Sequence, residues 1–291
     1  MPKIAIMTDS NCGIMPDNAQ KYHIHILPMP VLVGEDTFYE GCNITSEEFY
    51  RKLSSGEPVT TSQPSPADVM KMWDQLLKEH DEVVHVPMSS GLSNSCQTAL
   101  LLAQEEYFEG RVHVVDNHRI SVTQAQSVLD AVELTRQRFT GAQIKEILET
   151  EAMDATIYIA VDTLEYLKKG GRITAAAAAI GTVLNLKPVL TIQGDKLDAY
   201  TKTRGMKSAF KAMCKALDKD LSGRLSALHT QGLLKAGIAY TQMDPDTLEF
   251  FKEEMKKRYP DLELFQLPLT MSIGCHTGPG ALGIGLVRVH K

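Results

Sequence analysis

The stretch Glu82-Val83-Val84-His85-Val86-Pro87-Met88-Ser89-Ser90-Gly91-Leu92-Ser93-Asn94-Ser95 passes from a β-branched run through a hydroxyl-rich turn into a segment that reads as a helix over 93–106. A strand followed at once by a helix is the unit from which mostly parallel, helix-covered sheets are built. Working outward, the same alternation recurs. Upstream, residues 3–8 read as a first buried strand and 25–33 as a second, which Pro28 and Pro30 confine to an edge or to extended chain. Thr45 with Glu48 suggests a capping box for a helix through Leu53, and Ser65-Pro66-Ala67-Asp68 opens another to about His80. Downstream come a strand at 111–116 and helices at 121–139 and 141–153.

After Asp154 the order restarts with a strand at 156–161 and a helix ending in Lys168-Lys169-Gly170-Gly171. The run Ala175–Ala179 leads through Ile180-Gly181-Thr182-Val183-Leu184 to a strand at 188–192, and Gln193-Gly194-Asp195 turns into a strand at 197–201. A helix near 206–218, a strand near 237–241, a helix at 245–259 and two final strands complete the pattern. The expectation is an α/β protein of two α/β domains, 1–153 and 154–291.

The net charge of −6, with no block of Lys or Arg, argues against nucleic acid or an anionic membrane surface as the main partner. Cys12, Cys42, Cys96, Cys214 and Cys275 are scattered and form no CxxC pair, so free thiols are expected rather than disulfides or a metal site. The opening MPKIAIMTDS reaches Asp9 too early for a signal peptide, and no apolar run is long enough to span a bilayer. A cytoplasmic protein without stable membrane insertion is expected.

Three polar turns carry the candidate chemistry. Helix N-termini at the carboxyl ends of strands offer unpaired N–H groups to an anion, and Ser89, Ser90, Ser93, Asn94 and Ser95 add neutral donors there. Thr60-Thr61-Ser62-Gln63-Pro64-Ser65-Pro66 repeats the feature ahead of another helix, and Thr8-Asp9-Ser10 closes the first strand. Gly278, Gly280 and Gly283 have G-x-G-x-x-G spacing, but the chain runs on into a β-branched strand with no room for the helix a dinucleotide fingerprint requires. Those glycines are read instead as a tight turn and close backbone approach beside His276. Arg172 lies beyond a helix-ending signal and is left over for a carboxylate, a phosphate or a partner.

Taken in order, Thr8-Asp9-Ser10, Thr61-Ser62-Gln63-Pro64-Ser65-Pro66, Ser89-Ser90-Gly91-Leu92-Ser93, Val115-Asp116, Tyr166-Leu167-Lys168-Lys169-Gly170-Gly171-Arg172-Ile173, Lys187-Pro188 and His276-Thr277-Gly278-Pro279-Gly280-Ala281 resemble the DegV family of bacterial fatty-acid-binding proteins. The resemblance implies an N-terminal Rossmann-like domain with a parallel sheet and a C-terminal mixed-sheet domain with an apolar ligand tunnel. It implies a lipid carrier rather than an enzyme, holding a long-chain fatty acid with its carboxylate at the domain interface and using no other cofactor. Thr61, Ser62 and Ser93 would donate to the carboxylate with His276 nearby, and Asn94, Ser95 and Gly280 would stand behind them. Some family members present the carboxylate to a fatty acid kinase; Arg172 and Arg204 are the candidates for meeting that kinase or the acyl phosphate. Asn117, Gln124 and Gln126 depart from the family's pattern around Ser121. Two rival readings use the residues alone. One is a serine hydrolase with Ser93, His276 and either Asp116 or Asp162, although the final glycine of G-x-S-x-G is absent. The other is a sugar-phosphate or nucleotide binder.

Overall fold

The computed structural model describes residues 2–179 and 186–291; the expectation for 180–184 lies outside them. In chain order the elements are β1 (Ile4–Asp9), α1 (Pro16–Tyr22), β2 (Ile24–Leu27), β3 (Pro30–Val33), β4 (Asp36–Tyr39), α2 (Ser46–Ser54), β5 (Val59–Thr61), α3 (Pro66–Leu76), β6 (Glu82–Val86), α4 (Ser95–Leu102), β7 (Val112–Val114), α5 (Ser121–Arg136) and α6 (Gly141–Thr150). Then follow β8 (Ala155–Ala160), α7 (Glu165–Gly170), α8 (Ala175–Ala178), β9 (Leu186–Ile192), β10 (Asp198–Arg204), α9 (Met206–Ser222), α10 (Ser226–Thr230), β11 (Leu234–Tyr240), α11 (Pro245–Arg258), β12 (Glu263–Pro268), α12 (Met271–Thr277) and β13 (Leu282–Arg288).

The first sheet is parallel, in the order β2-β1-β6-β7. Ala5, Met7 and Val83 face α3 and α4, whereas Ile6, Val84 and Val86 pack toward α5 and α6. A strand covered on both faces is apolar at successive positions, as Val83 and Val84 are, with Val86 following the buried His85. The second sheet is mixed, in the order β10-β9-β8-β13-β11-β12, with only β11 and β12 parallel. Its side chains alternate between two cores. Ala160, Ile238, Leu282, Ile284 and Leu286 pack beneath α9 and α11, while Ile157, Ile159, Ile192 and Ala239 point to the opposite face.

The single strand expected over 25–33 is two strands in two sheets. Pro28 has no N–H to donate, so the ladder stops at Leu27, and Pro30 opens β3, the middle of a small antiparallel sheet β4-β3-β5. At α2 the cap is one-sided, Thr45 accepting from the Glu48 N–H at 3.2 Å. The reciprocal box forms at α6, between Thr140 and Gln143. The helix expected from Ser93 begins at Ser95 and ends at Leu102.

Two helices join separate parts of the fold. Helix α5 packs on β1 and β6 and also on β11 and β13, while α12 packs on α2, β3 and β5. No helix among the described residues is long and apolar enough to cross a membrane.

Candidate functional site

The strand ends of the first sheet are tied before any ligand is considered. At the end of β1, the Asp9 carboxylate accepts from the Asn11 N–H at 2.9 Å, the Met88 N–H at 2.7 Å and Gln124 Nε2 at 3.3 Å. Burial pushes its pKa up to about 6 against those three donors. Thr8 donates to the Val86 carbonyl at 2.7 Å, and the Ser10 hydroxyl accepts from the Met29 N–H at 3.0 Å. Thr8-Asp9-Ser10 therefore positions the loops after β2 and β6, and none of its side chains lines the cavity described below.

The four serines after β6 separate into different tasks. Ser89 donates to the Gly194 carbonyl at 3.1 Å and accepts from the Gly91 N–H at 3.2 Å, fastening the loop to the β9–β10 turn. A Cβ on Gly91 would sit 2.6 Å from the Asp195 Cα, so glycine is needed for that approach. Ser90 lies 3.5 Å from His118 Nδ1. Ser93 accepts from the Ser95 N–H at 3.2 Å, which leaves its own O–H free to donate. Asn94 is exposed and the Ser95 hydroxyl is buried without a partner; neither lines the cavity.

Facing Ser93 across the cavity are the end of β5 and helix α12. Thr61 Oγ1 and His276 Nε2 are 2.9 Å apart. Burial, and then the nearby Arg172 charge, pushes the His276 pKa down to about 4, so the ring is neutral at pH 7. Its Nδ1 is buried without a partner and lies against Gly170, where a Cβ would come within 2.1 Å of it. The Arg172 guanidinium donates to the Leu92 carbonyl at 3.3 Å and to the Gly170 carbonyl, which fixes a positive charge at the cavity wall. Ser62 is exposed and its hydroxyl donates to the Gln63 carbonyl at 3.0 Å.

Thr61, Ser62, Ser93, Arg172 and His276 share one cavity with about 860 Å³ of unoccupied space, its mouth included. The rest of the wall is mainly aliphatic: Leu92, Ile120, Val122, Ile157, Ile159, Leu167, Ile192 and Ile273 among others. It lies between the loops of the parallel sheet and one face of the mixed sheet, with polar groups gathered at one end of aliphatic walls. Gly283 lines it as well, so the last of the three spaced glycines leaves room in the cavity rather than cradling a phosphate.

Ser272 escapes a sequence reading, and Gln63, Ser121 and Thr277 stand in recognised stretches without an assigned role. Gln63, Ser272 and Thr277 flank the polar end, and Ser121 sits at the start of α5 with φ +56 and a buried, unpartnered hydroxyl. A left-handed conformation at a non-glycine residue is a local cost that surrounding packing must hold, and no residue type announces it. Arg204 is exposed on the edge strand β10 and lines no part of the cavity. Gly280 forms the turn before β13, with φ +74 and the Asp162 carboxylate 3.1 Å from where its Cβ would be.

The hydrolase arrangement is not assembled. His276 has no carboxylate on Nδ1, Asp162 pairs with Lys187 at 2.6 Å, and Asp116 accepts from the Ser90 N–H at 3.4 Å. An imidazole without an orienting acid cannot relay a proton from serine as a triad does.

The depressed His276 pKa has a measurable consequence. Between pH 6.5 and about 4 the unfolded chain takes up a proton at this position that the folded chain does not. The contribution of His276 to stability therefore falls by about 3 kcal/mol as pH drops through that window. Urea unfolding at both ends of the window should show a change less favourable by about 3 kcal/mol in the wild type than in His276→Asn; equal changes would remove His276 as a source.

The family described as "Uncharacterised protein, DegV family" matches residues 3–289. A DegV domain-containing protein of Deinococcus radiodurans is 31% identical over 284 residues, covering 97% of this chain and 98% of the relative. A DegV family protein from Thermus thermophilus, whose structure is described as showing fatty acid binding, superposes with a TM-score of 0.88 at 32% identity over 99% of this chain and all of its own. DegV of Bacillus subtilis, described as a fatty acid binding protein, superposes with a TM-score of 0.84 at 28% identity, again over 99% of this chain and all of its own. With a family match across almost its whole length, and relatives of the same length and fold, the chain belongs to the DegV family.

Proposed function

We propose that this protein is a carrier that holds one long-chain fatty acid, its acyl chain in the aliphatic cavity and its carboxylate at Thr61, Ser62, Ser93 and His276. The observation that carries this reading is the cavity itself, with aliphatic walls and a cluster of hydroxyls, a neutral imidazole and one fixed guanidinium. The fatty-acid-binding relatives support it. Burying about 14 methylenes at about 0.8 kcal/mol each contributes roughly 11 kcal/mol, against association costs of about 4–15 kcal/mol. The tail supplies affinity and the head needs orientation. Neutral His276 donating from Nε2 to Thr61 leaves the Thr61 O–H to donate onward to the carboxylate, and the opposite tautomer would bury an N–H with no acceptor. Ser62 joins by rotating away from the Gln63 carbonyl. Asn94, Ser95 and Gly280 act behind this set by shaping its loops.

In the same reading the protein works in the cytoplasm as two units, 1–153 and 154–291, without catalysing a reaction. It presents the carboxylate to a fatty acid kinase, with Arg172 beside the reacting oxygen and Arg204 on the exposed surface. Hydroxyl donors suit that task, because they hold a carboxylate without enclosing both oxygens as a bidentate arginine would.

Lipid extraction and mass spectrometry of the purified protein should recover about one fatty acid per chain. Delipidated protein that fails to take up added fatty acid would refute binding. Ser93→Ala should weaken retention by about tenfold, as expected for one hydrogen bond to a charged group, and should slow phosphorylation of the bound ligand by a fatty acid kinase more than that. An unchanged rate would remove Ser93 from presentation.

A further inference from the structure

The face of the mixed sheet opposite the cavity carries a second feature, a groove between α9 and α11 with about 1120 Å³ of unoccupied space open to solvent. Its floor includes Phe250, a large apolar residue left 41% exposed, with the Lys207 ammonium 4.8 Å from the ring centroid. Its rim is basic although the whole chain carries −6. Lys257 is paired with Glu254 at 3.3 Å and Arg258 with Asp218 at 3.2 Å. Lys211 and Lys215, one helical turn apart on α9, are exposed and in no ion pair among the described residues.

The complementary surface is on the same chain. The turn between α4 and β7 exposes Glu105, Glu106 and Glu109 around Tyr107, which is 55% exposed, and buried Phe108 anchors it. None of these glutamates is in an ion pair among the described residues, and Leu101, 66% exposed, extends the apolar part. Turn and groove do not touch within one molecule. The turn belongs to the parallel-sheet half, which lies on the cavity side of the mixed sheet, while the groove is on the far side.

We propose that the α9–α11 groove is the docking site for residues 104–109 of a second copy of this chain. Glutamates meet the free Lys211 and Lys215, and Tyr107 packs beside Phe250 and Lys207. The groove is concave, so it fits a protruding turn better than the flat surface of a bilayer. The contact is head to tail, each molecule offering one turn and one groove. It is weak and salt-dependent, because its charges are exposed and the net charge of the chain opposes approach.

Sedimentation velocity on the full chain tests this without reference to the cavity ligand. At low salt the wild type should associate as concentration rises, and about 1 M salt should weaken association about tenfold or more, since screening then acts within about 3 Å. The double variants Lys211→Glu/Lys215→Glu and Glu105→Lys/Glu106→Lys should each stay monomeric with wild-type circular dichroism. Mixed, they should associate in equal proportion, because the native turn of one meets the native groove of the other and the reversed turn meets the reversed groove. A wild type that stays monomeric throughout, or folded variants that do not pair on mixing, would overturn the proposal. So would association unaffected by the charge reversals. Binding to phosphatidylglycerol vesicles that Lys211→Glu/Lys215→Glu abolishes, without self-association of the wild type, would assign the groove to a lipid surface instead.

Discussion

Gly283→Phe should leave the protein folded and empty of fatty acid. A Cβ at Gly283 meets nothing closer than the Tyr158 carbonyl oxygen at 3.7 Å and the Ala239 Cβ at 3.8 Å, which are ordinary contacts, and the residue lines the cavity. Its neighbours Leu282 and Ile284 point to the α9–α11 core, so alternation along β13 directs a side chain at 283 the other way. In the proposed carrier the phenyl ring would then take the acyl chain's space, and with it most of the roughly 11 kcal/mol that chain burial would contribute. Filling an apolar cavity is commonly neutral or stabilising. Thermal denaturation should therefore show a Tm at or above that of delipidated wild type, while extraction recovers no fatty acid. Gly285→Ala is the contrasting control, since its Cβ would lie 2.5 Å from the Thr156 carbonyl oxygen in the neighbouring strand and should cost about 1–3 kcal/mol of stability. A stable Gly283→Phe protein with its full complement of ligand would show that the acyl chain does not pass β13.

Gly170→Ala should weaken fatty-acid binding by about 10- to 100-fold while sparing the fold. The new methyl would collide with His276 Nδ1 at 2.1 Å, and a side-chain ring can yield where backbone cannot. Once turned, His276 no longer holds Thr61 at 2.9 Å. The lost ordering at a charged acceptor corresponds to about 1.5–3 kcal/mol. Calorimetry with a fatty acid and with its methyl ester separates head from tail. The acid should lose affinity and the ester, which has no carboxylate, should lose little. Equal losses for both would place the effect in the acyl cavity and count against a carboxylate role for His276.

Much of the architecture was legible because local chemistry fixes it. The valine-rich strand at 82–86 is covered on both faces, and Ser65 with Pro66 starts α3 where the capping pattern places it. Helix α12 was not legible. It has seven residues, too few to show a helical period, and its glycine-rich exit drew attention to a turn instead. The hydroxyl clusters pointed to the right loops, but residue type does not distinguish Ser89, which fastens two loops, from Ser93, which keeps a free proton beside the cavity. Arg172 was noticed as unassigned; its position on the cavity wall depends on carbonyls of Leu92 and Gly170 that only the fold brings to it.

The sequence by itself determined the alternation of strands and helices, the polar turns at strand ends, and the failure of Gly278, Gly280 and Gly283 as a nucleotide fingerprint, because these follow from propensity and capping within a few residues, a β-branched strand following the glycines where a helix would be needed. Tertiary structure alone decided that Thr61 and His276, 215 positions apart, share a hydrogen bond, that the imidazole is neutral, and that Gly283 leaves space in the cavity. The reason is physical: proximity, burial and unfilled volume are properties of packing between distant segments, and no single segment contains them.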